Sequence, residues 1–262
     1  MINVLILSSR NTNIVDCYGI DKCVTILNNN QLIHAKKIDI ENIHELTNKT
    51  TDVLIIAGGE PTQIKLHLKG KGAQIIRHFI LNGGGYIGIC AGAVLAIPKA
   101  PSLELLQHVK TVNDNVWWDS GICGDIKLNS CELACDLKKQ NSAIEHICDR
   151  FNTTNLFSYK NGPLLNIKQS KKNSQSTSKS ASIPTPLATF NGPFHRATQI
   201  ISNEMSEEIN ESVAILFGTY GNGSVLISSI HPEYETNECD KGLLDEMCMA
   251  VTTKVLKHMQ SN

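Results

Sequence analysis

The chain has no apolar run near the roughly 20 residues that a membrane-spanning helix needs. A helical membrane protein is therefore not expected. Neither sign of charge predominates, with 24 Lys and Arg against 25 Asp and Glu in 262 residues. That balance gives no electrostatic reason to expect nucleic acid or an anionic membrane as a partner. The opening residues Met1 to Leu7 have no basic stretch ahead of the apolar run and no small-residue cleavage site, so they read as a first strand. A secreted disulfide framework is also missing. The nine cysteines are odd in number and scattered over a mid-sized chain, which points to a reducing, cytoplasmic setting. Cys131 and Cys135 are four apart, but no second pair matches them, so they read as ordinary thiols and no metal is expected.

What is present is an alternation of strand and helix signals through the first hundred residues. Asn3 to Leu7 is apolar and β-rich, and Cys17 to Asn30 reads as a helix. Leu32 to Ile38 is a weaker strand, followed by a polar connector over Asp39 to Leu46. Asp52 to Ala57 is apolar on both faces, as in a buried parallel sheet. Ile75, Ile76, Phe79 and Ile80 recur at helical spacing, and Tyr86 to Ile89 is the next strand. The pattern predicts an α/β fold of flavodoxin-like type: an open, mostly parallel sheet with helices on both faces. Val213 to Thr219 and Ser224 to Ile230 flank Tyr220-Gly221-Asn222-Gly223, a late antiparallel hairpin. Leu243, Leu244, Met247, Val251 and Val255 form one face of a last helix. Both tryptophans fall in the irregular Val116 to Gly121. Asn161-Gly162-Pro163 is echoed by Asn191-Gly192-Pro193, which marks two turns for a common site. Lys168 to Ser182 is almost wholly Ser, Lys, Asn, Gln and Thr and reads as a disordered polar insertion.

Gly88-Ile89-Cys90-Ala91-Gly92 has the form of a nucleophile elbow, a sharp strand-to-helix turn with the reactive side chain at its tip. The turn brings backbone so close to its neighbours that a Cβ at Gly88 or Gly92 would collide. A helix beginning near Ala91 places unpaired amides and a positive dipole end beside the sulfur, which favours thiolate. The Ala91 amide then faces the place where an oxyanion forms, and Gly58 or Gly59, after a neighbouring strand, supplies a second donor. The segment lacks the lysine of a phosphate-binding loop and the spacing of a dinucleotide site, so no cofactor is expected. His231-Pro232-Glu233 supplies an imidazole at a strand end and a carboxylate two residues on. With Cys90 as nucleophile, His231 is the base and Glu233 its orienting acid.

These fragments resemble the class I glutamine amidotransferase fold. More narrowly, Gly83 to Ala93, the Asn-Gly-Pro turns and Ser228 to Glu233 resemble the amidotransferase-like N-terminal domain of eukaryotic biotin–protein ligases. The resemblance spans nearly the whole chain as one domain, residues 1–262, apart from the polar insertion. It implies Cys90, His231 and Glu233 as the reacting set, Gly59 and Ala91 as oxyanion donors, and an amide such as the glutamine side chain as substrate. No Gly-Arg-Gly-Arg loop of a biotin ligase is present, so the chain is not expected to biotinylate by itself. After the elbow, Val94 to Pro98 offers no glutamine-holding signature. Two alternatives stay open: a catalytically silent regulatory or scaffolding module that binds a small ligand or a protein partner, and a hydrolase of the related cysteine-protease-like group. The latter usually has an acid at the end of the first strand, where Leu7-Ser8-Ser9-Arg10 has none. Deleting Lys168 to Ser182 should leave the melting temperature nearly unchanged, because so polar a stretch buries little apolar area and loop closure changes by only about 0.6 kcal/mol per doubling of length. A loss of several degrees would show the segment to be packed.

Overall fold

The computed structural model of the chain describes residues 1–11, 14–98, 102–112, 122–151, 155–167, 184–198, 203–210, 212–235, 237 and 240–252. The two tryptophans, the Lys168 to Ser182 stretch and Val255 lie outside them. In chain order the elements are β1 (Ile2–Ser8), α1 (Cys17–Asn28), β2 (Ile33–Asp39), a short 3-10 turn (Ile40–Glu45), β3 (Val53–Ile56), α2 (Pro61–Leu81), β4 (Gly85–Ile89) and α3 (Ala91–Ala96). They continue with β5 (Val109–Thr111), β6 (Cys123–Ser130), α4 (Cys135–Gln140), α5 (Ser142–Phe151), β7 (Leu156–Lys160), β8 (Leu165–Ile167), β9 (Thr185–His195), α6 (Asn203–Ile209), β10 (Val213–Tyr220), β11 (Gly223–Ser228), a 3-10 turn (Pro232–Tyr234) and α7 (Leu243–Val251).

The strands form one mixed sheet in the order β2-β1-β3-β4-β11-β10-β9-β6-β7, with β5 and β8 attached at β10. From β2 to β11 every neighbour is parallel. Beyond β11 the pairing is antiparallel, starting with the expected hairpin of β10 and β11. The sheet is thus largely parallel where it carries the elbow, but its antiparallel part extends well past one hairpin.

Right-handed crossovers decide the layering. The chain steps outward from β1 through α1 to β2, then reverses through β3, α2 and β4. Helices α1, α7 and α5 pack against one another in one layer, and α2 and α3 pack together in the other. The reversal falls between β1 and β3, so a crevice opens beyond their carboxyl ends.

Local chemistry sets the boundaries. Asp16 caps α1, its side chain accepting from Gly19 N at 3.2 Å. Glu60 caps α2 with two amides, Thr62 N at 3.1 Å and Gln63 N at 2.6 Å, and Pro61 follows at the first helical position, where its missing N–H costs nothing. Helix α2 begins there, well before the apolar periodicity at Ile75. The intervening Lys-rich stretch hides the pattern, and the helix is broken at Lys69, with φ 53°. The connector after β2 is also helical in part, because Ile40 and Ile43 turn into the core.

A Cβ on Gly92 would lie 1.9 Å from Ile56 O, whereas Gly70 has nothing within 4 Å. Gly92→Ala should therefore cost at least about 1–3 kcal/mol, measured by urea unfolding, and Gly70→Ala should change stability by under about 1 kcal/mol. Equal stability of Gly92→Ala and wild type would contradict the close packing of α3 on β3.

Candidate active site

Cys90 follows β4 directly and has φ 53° and ψ −104°, a conformation that L residues rarely adopt. Its own amide donates to Ser228 O at 2.9 Å, which ties the elbow to β11. A Cβ on Gly88 would meet Gly92 O at 2.5 Å, so both elbow glycines sit where only glycine fits. Ala91 is the first residue of α3, where amides have no acceptor within the helix.

The second half of the site is carried by the strand next to β4. Beyond β11, the backbone of His231 is pinned to β7, its amide donating to Ser158 O at 2.8 Å. The Pro232–Tyr234 turn then folds Glu233 back inward. His231 is 2% and Glu233 0% exposed. His231 Nδ1 lies 2.7 Å from Glu233 Oε1, and Nε2 lies 3.0 Å from Lys160 O. With Glu233 ionised, a carboxylate and a carbonyl both accept, and the arrangement suits an imidazolium that donates from both ring nitrogens. Burial alone would lower its pKa, but Glu233 and the Cys90 thiol outweigh that and raise it well above the usual histidine value. Cys90 Sγ meets the adjacent carbonyl, Asn161 O, at 3.8 Å. Glu233 Oε2 is buried without a hydrogen-bond partner.

Asp16, Gly58, Gly59, Glu60, Pro61, Cys90, Lys160, Asn161 and His231 line a cavity of about 420 Å³. Gly58 and Gly59 come from the loop after β3, and Gly59 has φ 146° with Ile14 O 2.6 Å from where its Cβ would be. The structure therefore brings Cys90, His231, Gly58 and Gly59 to one cavity and sets Glu233 behind His231. Of the paired Asn-Gly-Pro turns, Asn161 lies at the cavity, and a Cβ on Gly162 would lie 2.0 Å from Ser229 O. Asn191-Gly192-Pro193 lies within β9 instead, paired with β6 near a register shift, and does not line this cavity. The two turns do not share a site.

Sequence reasoning missed Asp16, Lys160 and Tyr234. Tyr234 stacks on His231, ring centroids 5.2 Å apart, and its hydroxyl donates to Asp16 Oδ2. Lys160 Nζ reaches the same hydroxyl at 3.1 Å. Burial pushes the Asp16 carboxyl up, but Tyr234, the Gly19 amide, Lys160 and His231 together hold it below the ordinary value. The available signal was the Asp16 cap: an acid opening the first helix after the first strand stands at the crevice edge. Behind the site, Asp240 accepts from Ser158 Oγ at 2.7 Å, and burial raises its pKa to about 6 despite its hydrogen bonds.

Residues 3–100, which contain β1 to α3 with Gly58, Gly59 and Cys90, match the family model of the biotin–protein ligase N-terminal domain. His231 and Glu233 lie outside that match. Over its whole length the chain superposes on a Thermoplasma acidophilum protein described as a candidate GMP synthase component, with a TM-score of 0.55 at 12% identity, covering 100% of this chain and 98% of that one. A glutamine amidotransferase gives 0.51 at 16% identity, covering 94% and 98%. A cytoplasmic protein of Salmonella typhimurium gives 0.52 at 11% identity, covering 96% and 99%. The fold is thus the class I glutamine amidotransferase-like α/β fold. An uncharacterized Chlamydia muridarum protein is 44% identical over 63 residues, and the match spans 24% of each chain, about a quarter of that relative's length. Among the described residues no helix is long and apolar enough to cross a membrane.

A folded-state pKa above the unfolded value of about 6.5 means that protonated His231 stabilises the fold fully below about pH 6.5, and that this contribution is lost as pH rises through the folded value. Glu233→Gln removes the facing charge. Its destabilisation should be greatest near pH 6 and shrink as pH rises, as read from urea unfolding. The His231 Cε1 proton, followed by NMR, should keep its imidazolium shift at about pH 7.5. A midpoint at or below about 6.5 would contradict the site's electrostatics.

Proposed function

We propose that this protein is a stand-alone cysteine-dependent amidase of the glutamine amidotransferase-like type, acting on a small carboxamide such as the glutamine side chain. The observation that carries the reading is the strained elbow cysteine sharing one cavity with an imidazolium held by a buried glutamate. In this scheme Cys90, as thiolate, attacks the amide carbon and a C–S bond forms. The carbonyl π electrons move to oxygen, which the Ala91 amide and the Gly58 or Gly59 amide stabilise. Collapse breaks the C–N bond, and the His231 imidazolium gives its proton to the leaving nitrogen, releasing ammonia and leaving a thioester. Water then attacks the thioester, its proton passing to the now neutral imidazole, and the carboxylic acid departs as the thiolate returns. Glu233 keeps the ring oriented and compensates its charge throughout. No cofactor, metal, nucleic acid or membrane enters this scheme, and a cytoplasmic setting suits an unpaired nucleophilic thiol.

Two observations favour a second reading, a silent regulatory or scaffolding module related to the biotin–protein ligase N-terminal domain. His231 Nε2 is engaged by Lys160 O, and Cys90 is only 7% exposed. Catalysis then requires the Lys160–Asn161 peptide to release the ring when substrate binds. A chloroketone analogue of glutamine separates the two. The amidase reading expects a mass gain at Cys90, absent in Cys90→Ser and slowed at least about tenfold in His231→Ala, within the usual size of acid–base contributions. It also expects Cys90 to outpace Cys23, Cys148 and Cys248 toward iodoacetamide, because burial pushes those three thiols up. No adduct with the analogue, together with ordinary alkylation of Cys90, would favour the silent module.

A further inference from the structure

The cavity has a charge arrangement that none of these bond-making steps requires. Asp16 and Glu60 line it from the loops after β1 and β3, and Lys160 lines it from the end of β7. His231 adds a second cation to the same lining, one that Glu233 matches from behind, and these charges are not equally available. Glu60 commits its carboxylate to the first amides of α2. Lys160 Nζ donates to the Tyr234 hydroxyl and sits over the same ring, 5.0 Å from its centroid, so its charge is directed at the phenol. Asp16 accepts one bond on each oxygen, from Gly19 N and Tyr234 Oη. An ionised carboxylate has about four acceptor sites, so two remain.

Its placement makes that capacity useful. A Cβ on Gly58 would lie 3.6 Å from His231 Cε1, 3.6 Å from Asp16 Cβ and 3.7 Å from Asp16 Oδ2. Asp16 and the imidazole therefore flank the same bare glycine, beside the proposed oxyanion position. Half-burial strengthens the field of a charge there relative to one in open water.

We propose that Asp16 is the counter-ion for an ammonium group on the substrate, so that the Cys90 cavity takes ammonium-bearing carboxamides in preference to neutral or anionic ones. The inference rests on the amidase reading for the word carboxamide and on the cavity alone for the ammonium. Asp16 is fixed before any ligand arrives, because the α1 amide and the Tyr234 hydroxyl hold both of its oxygens. A rigid carboxylate discriminates by charge without an ordering cost on binding.

The test uses the full chain and three methanethiosulfonates, the aminoethyl, methyl and sulfonatoethyl reagents, each of which transfers its thioalkyl group to a thiolate and releases methanesulfinate. Rates at Cys90 are read by peptide mass spectrometry and divided by each reagent's rate with a small free thiol. The neutral reagent reports thiolate reactivity, so any remaining difference reports charge. We expect the cationic reagent to exceed the anionic one by roughly tenfold, the scale of one nearby partly buried charge, and Asp16→Asn to remove most of that preference. Asparagine keeps the helix cap and an acceptor for Tyr234, so α1 should stand; Asp16→Ser, also a good cap, repeats the measurement if Asp16→Asn fails to fold. A ratio near one, a preference for the anion, or a ratio unchanged in the variants overturns the proposal. So does failure of all three reagents at Cys90, since the cavity would then admit no such ligand. The chloroketone adduct judges the amidase reading separately: charge preference without that adduct leaves an ammonium site on a silent module.

Discussion

Close approach of bare backbone at the elbow is the constraint on which the rest of the molecule depends. Gly92 lets α3 start against Ile56 O of β3, and Gly88 lets β4 pass under the Gly92 carbonyl. Tyr86 adds a buried hydroxyl bond to that carbonyl at 2.7 Å. With three neighbouring backbones so close, Cys90 is forced to φ 53°, a conformation that costs on the order of 1–3 kcal/mol. The strain is tolerated because β3, β4 and β11 are buried throughout. A core of this kind over-determines the turn, which in turn aims the thiol into the crevice that the strand order opens.

The imidazolium is a second, electrostatic constraint. An isolated buried charge would be strongly disfavoured, so His231 exists as described only because Glu233 faces one nitrogen, Lys160 O the other and Tyr234 one ring face. The Glu233 oxygen left without a partner carries a penalty of about 1–3 kcal/mol or more. Both the elbow and the histidine are thus places where local stability is given up. Such places are candidates for functional sites.

Most of the elbow was legible in the sequence because its requirements are steric and local. Only glycine fits at Gly88 and Gly92, and Cys90 stands at a fixed offset between them. The His231–Glu233 contact was legible for a similar reason, since Pro232 turns the chain within two residues. The parallel half of the sheet follows from the alternation of apolar runs. What stayed hidden depends on contacts far apart in the chain. Lys160 O meets His231 because β7 lies beside the end of β11, seen in the bridge of Tyr159 to Ile230. Asp16 and Tyr234 meet across 218 residues. The start of α2 was obscured by polar residues and a broken turn at Lys69. The likeness between the two Asn-Gly-Pro segments misled, because a turn signal says nothing about where the turn lies in space.

The division of the site along the chain follows the same logic. Residues 3–100 supply Cys90, Gly58, Gly59 and Asp16, all on neighbouring strand ends of the parallel sheet. His231, Glu233, Lys160 and Tyr234 come from the later, antiparallel part. Strand β11 joins the two halves: it pairs in parallel with β4 and antiparallel with β10, so its end brings a late segment to the elbow, as does Asn161 after β7. The bond from Cys90 N to Ser228 O ties thiol and imidazole supports together at that seam. Any change in how β11 pairs with β4 would therefore move Cys90 and His231 relative to each other, while leaving the hydrogen bond between His231 and Glu233 intact.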